Sequence, residues 1–226
     1  MSSPTPRSVR AVHTFADRVT AGRALGAALL DYQGPGTVVL GLPRGGVPVA
    51  AEVADALGAP LDVFVVRKLG VPGHEELAMG AIASGGVVVL NEEVMASLGI
   101  DQATLEAVID RERGELARRE RAYRGDRPPL ALAGRTVVLV DDGLATGASM
   151  RAAVEAVRRA GPDLVVAAVP VGAAATCVAL SRVADRVVCL VTPEPFNAVG
   201  AFYADFSQTT EQEVRTVLDR LGQPLN

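Results

Sequence analysis

The residues with the most chemistry in them lie at 136–150, TVVLVDDGLATGASM. An apolar run ends in two adjacent carboxylates, Asp141 and Asp142. Gly143, Leu144, Ala145, Thr146 and Gly147 then turn the chain into a helix that opens with Ala148 and Ser149. Successive backbone N–H groups in such a turn, at the positive end of a helix dipole, form an anion cradle. Thr146 and Ser149 add hydroxyl donors suited to a phosphate monoester. The carboxylates are poor phosphate ligands, because like charges repel. They suit sugar hydroxyls or a bridging Mg2+, which prefers oxygen ligands. The chemistry implied is recognition of a phosphorylated sugar, with phosphate in the turn and diol and metal on the acids. A Walker loop needs a lysine after its second glycine, whereas Ala148 follows Gly147, and a dinucleotide GxGxxG is absent from this turn.

Such a pair of acids must be held at the end of a strand. Short Val- and Leu-rich runs recur at Thr37–Leu40, Leu61–Val66, Val87–Leu90, Thr136–Val140, Leu164–Val169 and Arg186–Val191. Helical patterns follow at Val47–Leu57 and Ala148–Ala160. Near-continuous apolar strands alternating with helices indicate an α/β fold, a doubly wound, mostly parallel sheet with helices on both faces. Ligands of such sheets sit at the carboxyl ends of the strands, where Asp141 and Asp142 fall. Outside this pattern, Phe15–Tyr32 reads as an amphipathic helix with Phe15, Val19, Leu25 and Leu29 inward. Pro193–Phe206 reads as an aromatic loop before a last helix over 210–221. The expected organisation is one domain over 1–226, with a core at about 36–191 and a small hood lobe from about 12–35 and 192–226. Asp101–Tyr123 is a long charged helix, either a basic phosphate-binding or oligomer surface or, the reading preferred, a solvated helix held by local ion pairs such as Glu115–Arg119.

Composition narrows the setting. The chain has 226 residues, 49% hydrophobic and 21% charged, with a net charge of −4, which excludes wholesale disorder. No apolar run is long enough for a membrane span, and Met1–Arg10 lacks the apolar stretch of a secretory signal. With only Cys177 and Cys189, a reducing cytoplasm is the expected location. The acidic balance argues against nucleic acid as a partner. Lys68 is the single lysine.

VVLVDDGLATGAS resembles the phosphoribosyl-pyrophosphate (PRPP) signature of the type I phosphoribosyltransferases: hydrophobics, two acids, then a Gly/Thr/Ser-rich phosphate loop. The resemblance extends over roughly residues 15–206 and implies a Mg2+-dependent transfer of the 5-phosphoribosyl group to a nitrogen nucleophile of nucleobase type, releasing pyrophosphate. It places a pyrophosphate loop, often with a cis non-proline peptide, at GLPRGG, where Arg44 offers a fork of donors and Gly45 and Gly46 permit close backbone approach. It places a flexible closing loop at Arg67–Met79, from which Arg67 and Lys68 would stabilise departing pyrophosphate. His74 in that loop reads as solvated, and His13 as incidental. PEPFNAVGAFYADF is similar to the hood segment of purine enzymes, which would make Phe196 the stacking residue and Asp205 an acid near metal and pyrophosphate. It carries one extra residue before Val199–Gly200, and the lysine of purine enzymes has no counterpart in VVCLVTPEP, which leaves the acceptor open. The aromatics Phe196, Phe202, Tyr203 and Phe206 could equally be hood core. Similar proteins are often homodimers.

Two other readings stay open: a PRPP- or nucleotide-sensing regulator without transfer, and a hydrolase using the acid pair on a phosphosugar. A fold alone does not choose among them.

Overall fold

The computed structural model describes residues 15–221. The expectations for Met1–Arg10, His13 and the outer ends of the two hood segments lie outside the described residues. In chain order the elements are α1 (Arg18–Ala28), β1 (Thr37–Gly41), α2 (Gly46–Leu57), β2 (Leu61–Val63), β3 (Val66–Val71), β4 (His74–Ala83) and β5 (Val87–Leu90). These are followed by α3 (Glu92–Leu98), α4 (Gln102–Arg124), β6 (Thr136–Val140), α5 (Ala148–Arg158), β7 (Leu164–Val171), α6 (Ala174–Leu180), β8 (Arg186–Val191) and α7 (Glu211–Leu221).

Five strands form a parallel sheet in the order β2-β1-β6-β7-β8. Because side chains alternate along a strand, each central strand feeds two cores. Val39, Val138 and Val166 pack toward α2, α4 and α7, whereas Val38, Val137 and Val165 pack toward α5 and α6. Both faces are covered, which is why these strands read as unbroken apolar runs.

The structure corrects three local expectations. The run Leu61–Val66 is not one strand: β2 stops at Val63, the Phe64 N–H turns to the Gly41 carbonyl at 3.0 Å, and a new strand begins at Val66. Arg67–Met79 is not an irregular loop but most of an antiparallel hairpin, β3 and β4, turning at Gly73 with φ +79°. Its period is hidden by register shifts around Gly70, where a Cβ would come within 2.8 Å of the Glu75 carbonyl oxygen. Val87–Leu90 belongs to this second sheet, antiparallel to β4, and not to the parallel one.

The N-terminal helix begins at Arg18 because the Asp17 carboxylate accepts the Thr20 N–H at 2.6 Å, an N-cap. It lies directly on α2: a Cβ at Gly22 would meet the Val49 carbonyl oxygen at 2.8 Å, and one at Gly26 the Ala56 Cβ at 2.7 Å. Just before it, the Phe15 N–H donates to the Phe202 carbonyl and the Ala204 N–H to the Phe15 carbonyl, both at 2.8 Å. Phe202 and Tyr203 are thereby buried against Ala21 and Val171, with Phe15, Phe196, Val199 and Phe206 around them. The last helix, α7, leaves this cluster and packs on α2 and α4 through Val214 and Leu218.

Candidate active site

Asp141 and Asp142 stand at the carboxyl end of β6, between neighbours β1 and β7. The Asp141 carboxylate accepts the Asp142 N–H at 2.9 Å. On one side the turn after β1 presses against the pair: a Cβ at Gly45 would lie 2.0 Å from Asp142 Oδ2, and one at Gly46 2.8 Å from Asp141 Cα. The peptide bond between Pro43 and Arg44 in this turn is cis. On the other side Leu144 is the buried anchor of the second turn, its N–H donating to Val171 and its carbonyl accepting from Ala173, both at 2.9 Å. Gly147, at φ +74°, then starts α5 with no side-chain cap.

The donors left over are what matters. The N–H groups of Arg44 and Gly45, and those of Ala145, Thr146, Gly147, Ala148 and Ser149, make no hydrogen bond to the described residues. Thr146 and Ser149 are exposed beside them. Two sets of unpaired amides therefore flank one pair of carboxylates, an arrangement whose chemistry suits two anions with a polyol between them.

Two residues hold the acid pair in ways the sequence does not signal. Arg18 donates from Nε to Asp142 Oδ2 at 2.9 Å, with Nη2 2.9 Å from the same oxygen as an ion pair. The Tyr203 hydroxyl donates to the Asp142 carbonyl at 2.5 Å. Burial and the nearby Asp142 charge push the Tyr203 phenol up, so it stays a donor. Arg18 lies in no motif and is 124 positions from its partner, while Tyr203 lies in the hood segment but reads there only as one of its aromatics.

The remaining candidates are placed differently. Arg67 turns to α4, donating from Nε and Nη2 to Glu112 Oε2 at 2.9 and 2.7 Å, and Glu112 is buried there with Arg111 on its other oxygen at 3.1 Å. Lys68 is exposed and, as the next residue of β3, projects from the opposite face, so the strand does not aim Arg67 and Lys68 at one anion. His74 is exposed. Phe196 stacks on Phe202 with ring centroids 5.5 Å apart, so one face of its ring is already covered. Asp205 is exposed and accepts the Ser207 N–H at 2.9 Å. Among the described residues no three of His, Cys, Asp and Glu converge, so Asp205 does not form a set with Asp141 and Asp142. The charged α4 carries local ion pairs on its solvent face, with Arg118 and Arg119 each 2.7 Å from Glu115 and holding its carboxyl down at about 2.

The phosphoribosyl transferase domain matches residues 12–206. The chain belongs to that family. Relatives in two strains of Mycobacterium tuberculosis, provisionally named phosphoribosyl transferases, are each 51% identical over 206 residues, covering 91% of this chain and 46% of theirs. The chain thus spans about half the length of the curated relatives it matches. The crystal structure of TT1426 from Thermus thermophilus is 47% identical, covers 93% of this chain and 100% of its own, and superposes with a TM-score of 0.83. The doubly wound parallel sheet is the fold of this phosphoribosyl transferase domain.

The acid pair of the phosphoribosyl transferase domain is held at an electrostatic cost. Burial, and then the neighbouring Asp142 charge, push the Asp141 carboxyl well above its ordinary 3.8. Burial also raises Asp142, against the opposing pull of Arg18. A raised acid binds its proton more tightly in the folded than in the unfolded chain. Its penalty is therefore absent below the ordinary carboxylate range and grows as pH climbs through it. Asp141→Asn keeps an acceptor for the Asp142 N–H and removes the charge. We expect it to stabilise the fold at neutral pH by about 1 kcal/mol, with the gain shrinking as pH falls toward 4. Thermal melts of both proteins across pH check this, and a loss of stability in the variant at pH 7 would contradict it.

Proposed function

We propose that this domain transfers the 5-phosphoribosyl group of PRPP to a nitrogen nucleophile of nucleobase type and releases pyrophosphate. One observation carries the reading: two turns with unpaired amides are interlocked around a single carboxylate pair, Gly45 against Asp142 and Gly46 against Asp141. PRPP has the matching three parts, a 5-phosphate, a ribose diol and a pyrophosphate. The 145–149 amides, with Thr146 and Ser149, would take the 5-phosphate and supply binding energy remote from the reacting carbon. Asp141 and Asp142 would face the 2- and 3-hydroxyls, where negative charge favours the positive ribose of the transition state. The Arg44 and Gly45 amides would take the pyrophosphate, with the Arg44 guanidinium available as a fork. With Arg67 held by Glu112, its part and that of Lys68 in leaving-group stabilisation would need the β3–β4 hairpin to move.

The donor set fits Mg2+ in kind, because Asp141 and Asp142 offer hard carboxylate oxygens and no protein cage of three such groups exists among the described residues. That suits an ion which takes one or two carboxylates and completes its shell with water and substrate oxygens. When held by Asp141 and Asp142, Mg2+ would supply positive charge that favours departure of pyrophosphate. The terminal segments, 12–35 and 192–226, would form the acceptor-side hood of a single domain. The free thiols of Cys177 and Cys189 are in keeping with a cytoplasmic setting. Among the described residues no helix is long and apolar enough to cross a membrane.

Calorimetry with PRPP, with and without Mg2+, tests the site in wild type and in Asp141→Asn/Asp142→Asn. The expected result is Mg2+-dependent binding that the double variant loses, followed by acceptor-dependent pyrophosphate release. Binding with no release for any nucleobase would favour the sensor, and release without an acceptor the hydrolase. A folded wild type that ignores PRPP would refute transferase and PRPP sensor alike.

A further inference from the structure

The Arg18 side chain is only 12% exposed, and its donors are spoken for in three directions. Nε and Nη2 converge on Asp142 Oδ2 at 2.9 Å, Nη1 donates to the Ser207 carbonyl at 2.7 Å, and the guanidinium carbon lies 4.0 Å from the centre of the Phe206 ring. Asp142 Oδ2 is also the oxygen that Gly45 crowds. Asp142 Oδ1, by contrast, makes no hydrogen bond to the described residues. One carboxylate oxygen is thus clamped from two sides while the other is left to a ligand.

We propose that Arg18 is a positioning residue of the ribosyl site. It fixes the Asp142 carboxylate so that Oδ1 alone meets a sugar hydroxyl, and it makes that orientation depend on the docking of residues 206–207. The inference rests on the ribosyl reading of the site given above. A guanidinium is suited to the task because one planar group can donate to a carboxylate oxygen, reach a carbonyl from another nitrogen and stack on an aromatic face. An ammonium keeps the charge but not the geometry. Arg18 makes no hydrogen bond to the 145–149 turn that would hold the 5-phosphate, and toward the other turn its Nε stands 3.2 Å from where a Cβ on Gly45 would lie. Its loss should therefore weaken a ligand that has a ribose diol and spare one that has none.

The test is calorimetry of the full chain with ribose 5-phosphate and, separately, inorganic phosphate, on wild type, Arg18→Gln and Arg18→Lys, with thermal melts to confirm folding. The expected result is at least a tenfold loss of ribose 5-phosphate affinity in Arg18→Gln, inorganic phosphate within twofold of wild type, and an intermediate loss in Arg18→Lys. If Arg18→Gln does not fold, Arg18→Lys is read alone, with the loss again confined to ribose 5-phosphate. Parallel losses for both ligands would make Arg18 a purely structural residue and overturn the proposal, as would unchanged ribose 5-phosphate binding. A wild type that holds ribose 5-phosphate no more tightly than inorganic phosphate would overturn the ribosyl reading itself, and the Arg18 inference with it.

Discussion

Gly46→Ala should weaken the proposed PRPP binding on the order of 100-fold and destabilise the fold together. The added Cβ would lie 2.7 Å from the Val140 carbonyl oxygen and 2.8 Å from Asp141 Cα, both backbone atoms of the strand that carries the acids. A flexible side chain could swing away, but the end of β6 is hydrogen-bonded into the centre of a parallel sheet and cannot. The turn must therefore back off from the acid pair, separating the two sets of amides that one ligand would have to span. Overpacking of this kind costs about 1–3 kcal/mol, and a misplacement of about 1 Å in a positioning loop costs on the order of 100-fold in function. Gly36→Ala is the control, since a Cβ there meets nothing within 4 Å. Melting curves and calorimetry on the two variants decide the matter. A Gly46→Ala protein with wild-type affinity would mean that the turns are not coupled.

The largest purely structural effect is expected at Arg124. Its Nε lies 3.0 and 3.1 Å from the two oxygens of Asp62, its Nη2 donates to the Val63 carbonyl at 3.2 Å, and both side chains are buried. Asp62 also accepts the Val63 and Leu130 N–H groups at 2.8 and 3.3 Å. The pair fastens the end of α4, the edge strand β2 and the following segment at one point. Arg124→Ala leaves Asp62 buried without its counter-ion, a change worth about 3–5 kcal/mol. Replacing both partners by apolar residues of similar volume should restore much of that loss, because the desolvation of two charges disappears with them. Urea unfolding of the single and double variants measures the difference. By contrast, Arg118→Ala removes an exposed partner of Glu115 and should leave the unfolding midpoint unchanged.

The contrast between these two arginines of one helix shows how far sequence reasoning reaches. The strands around Val138 and Val166 were legible because burial on both faces forces an unbroken apolar run, and the Asp-Asp-Gly turn was legible because its chemistry is local. The β3–β4 hairpin was not, since Gly70, Pro72 and Gly73 mask its alternation and its bulge breaks the period. Arg67 and Lys68 look like a joint anion site when written side by side, yet adjacent strand residues part to opposite faces, and Glu112 takes Arg67. Nothing in the chain marks Glu112, Asp62 or Arg18 as partners of charges 45, 62 and 124 positions away. Helix α3, by comparison, carries ordinary signals that could have been used: Asn91 caps its start, accepting the Val94 N–H at 3.2 Å, and Gly99 ends it at φ +61°.

The solitary lysine has a practical consequence. Lys68, the one lysine in the 226-residue sequence, is exposed on β3. A lysine-specific protease has a single peptide bond to cut, Lys68–Leu69, and that bond lies inside a strand paired to β4, with Leu69 buried. Proteases need an extended, unpaired backbone, so scission after Lys68 is a clock for opening of the hairpin. An amine-reactive dye has the same single internal address, so the chain comes with a built-in attachment point for a reporter beside the segment whose movement would matter most.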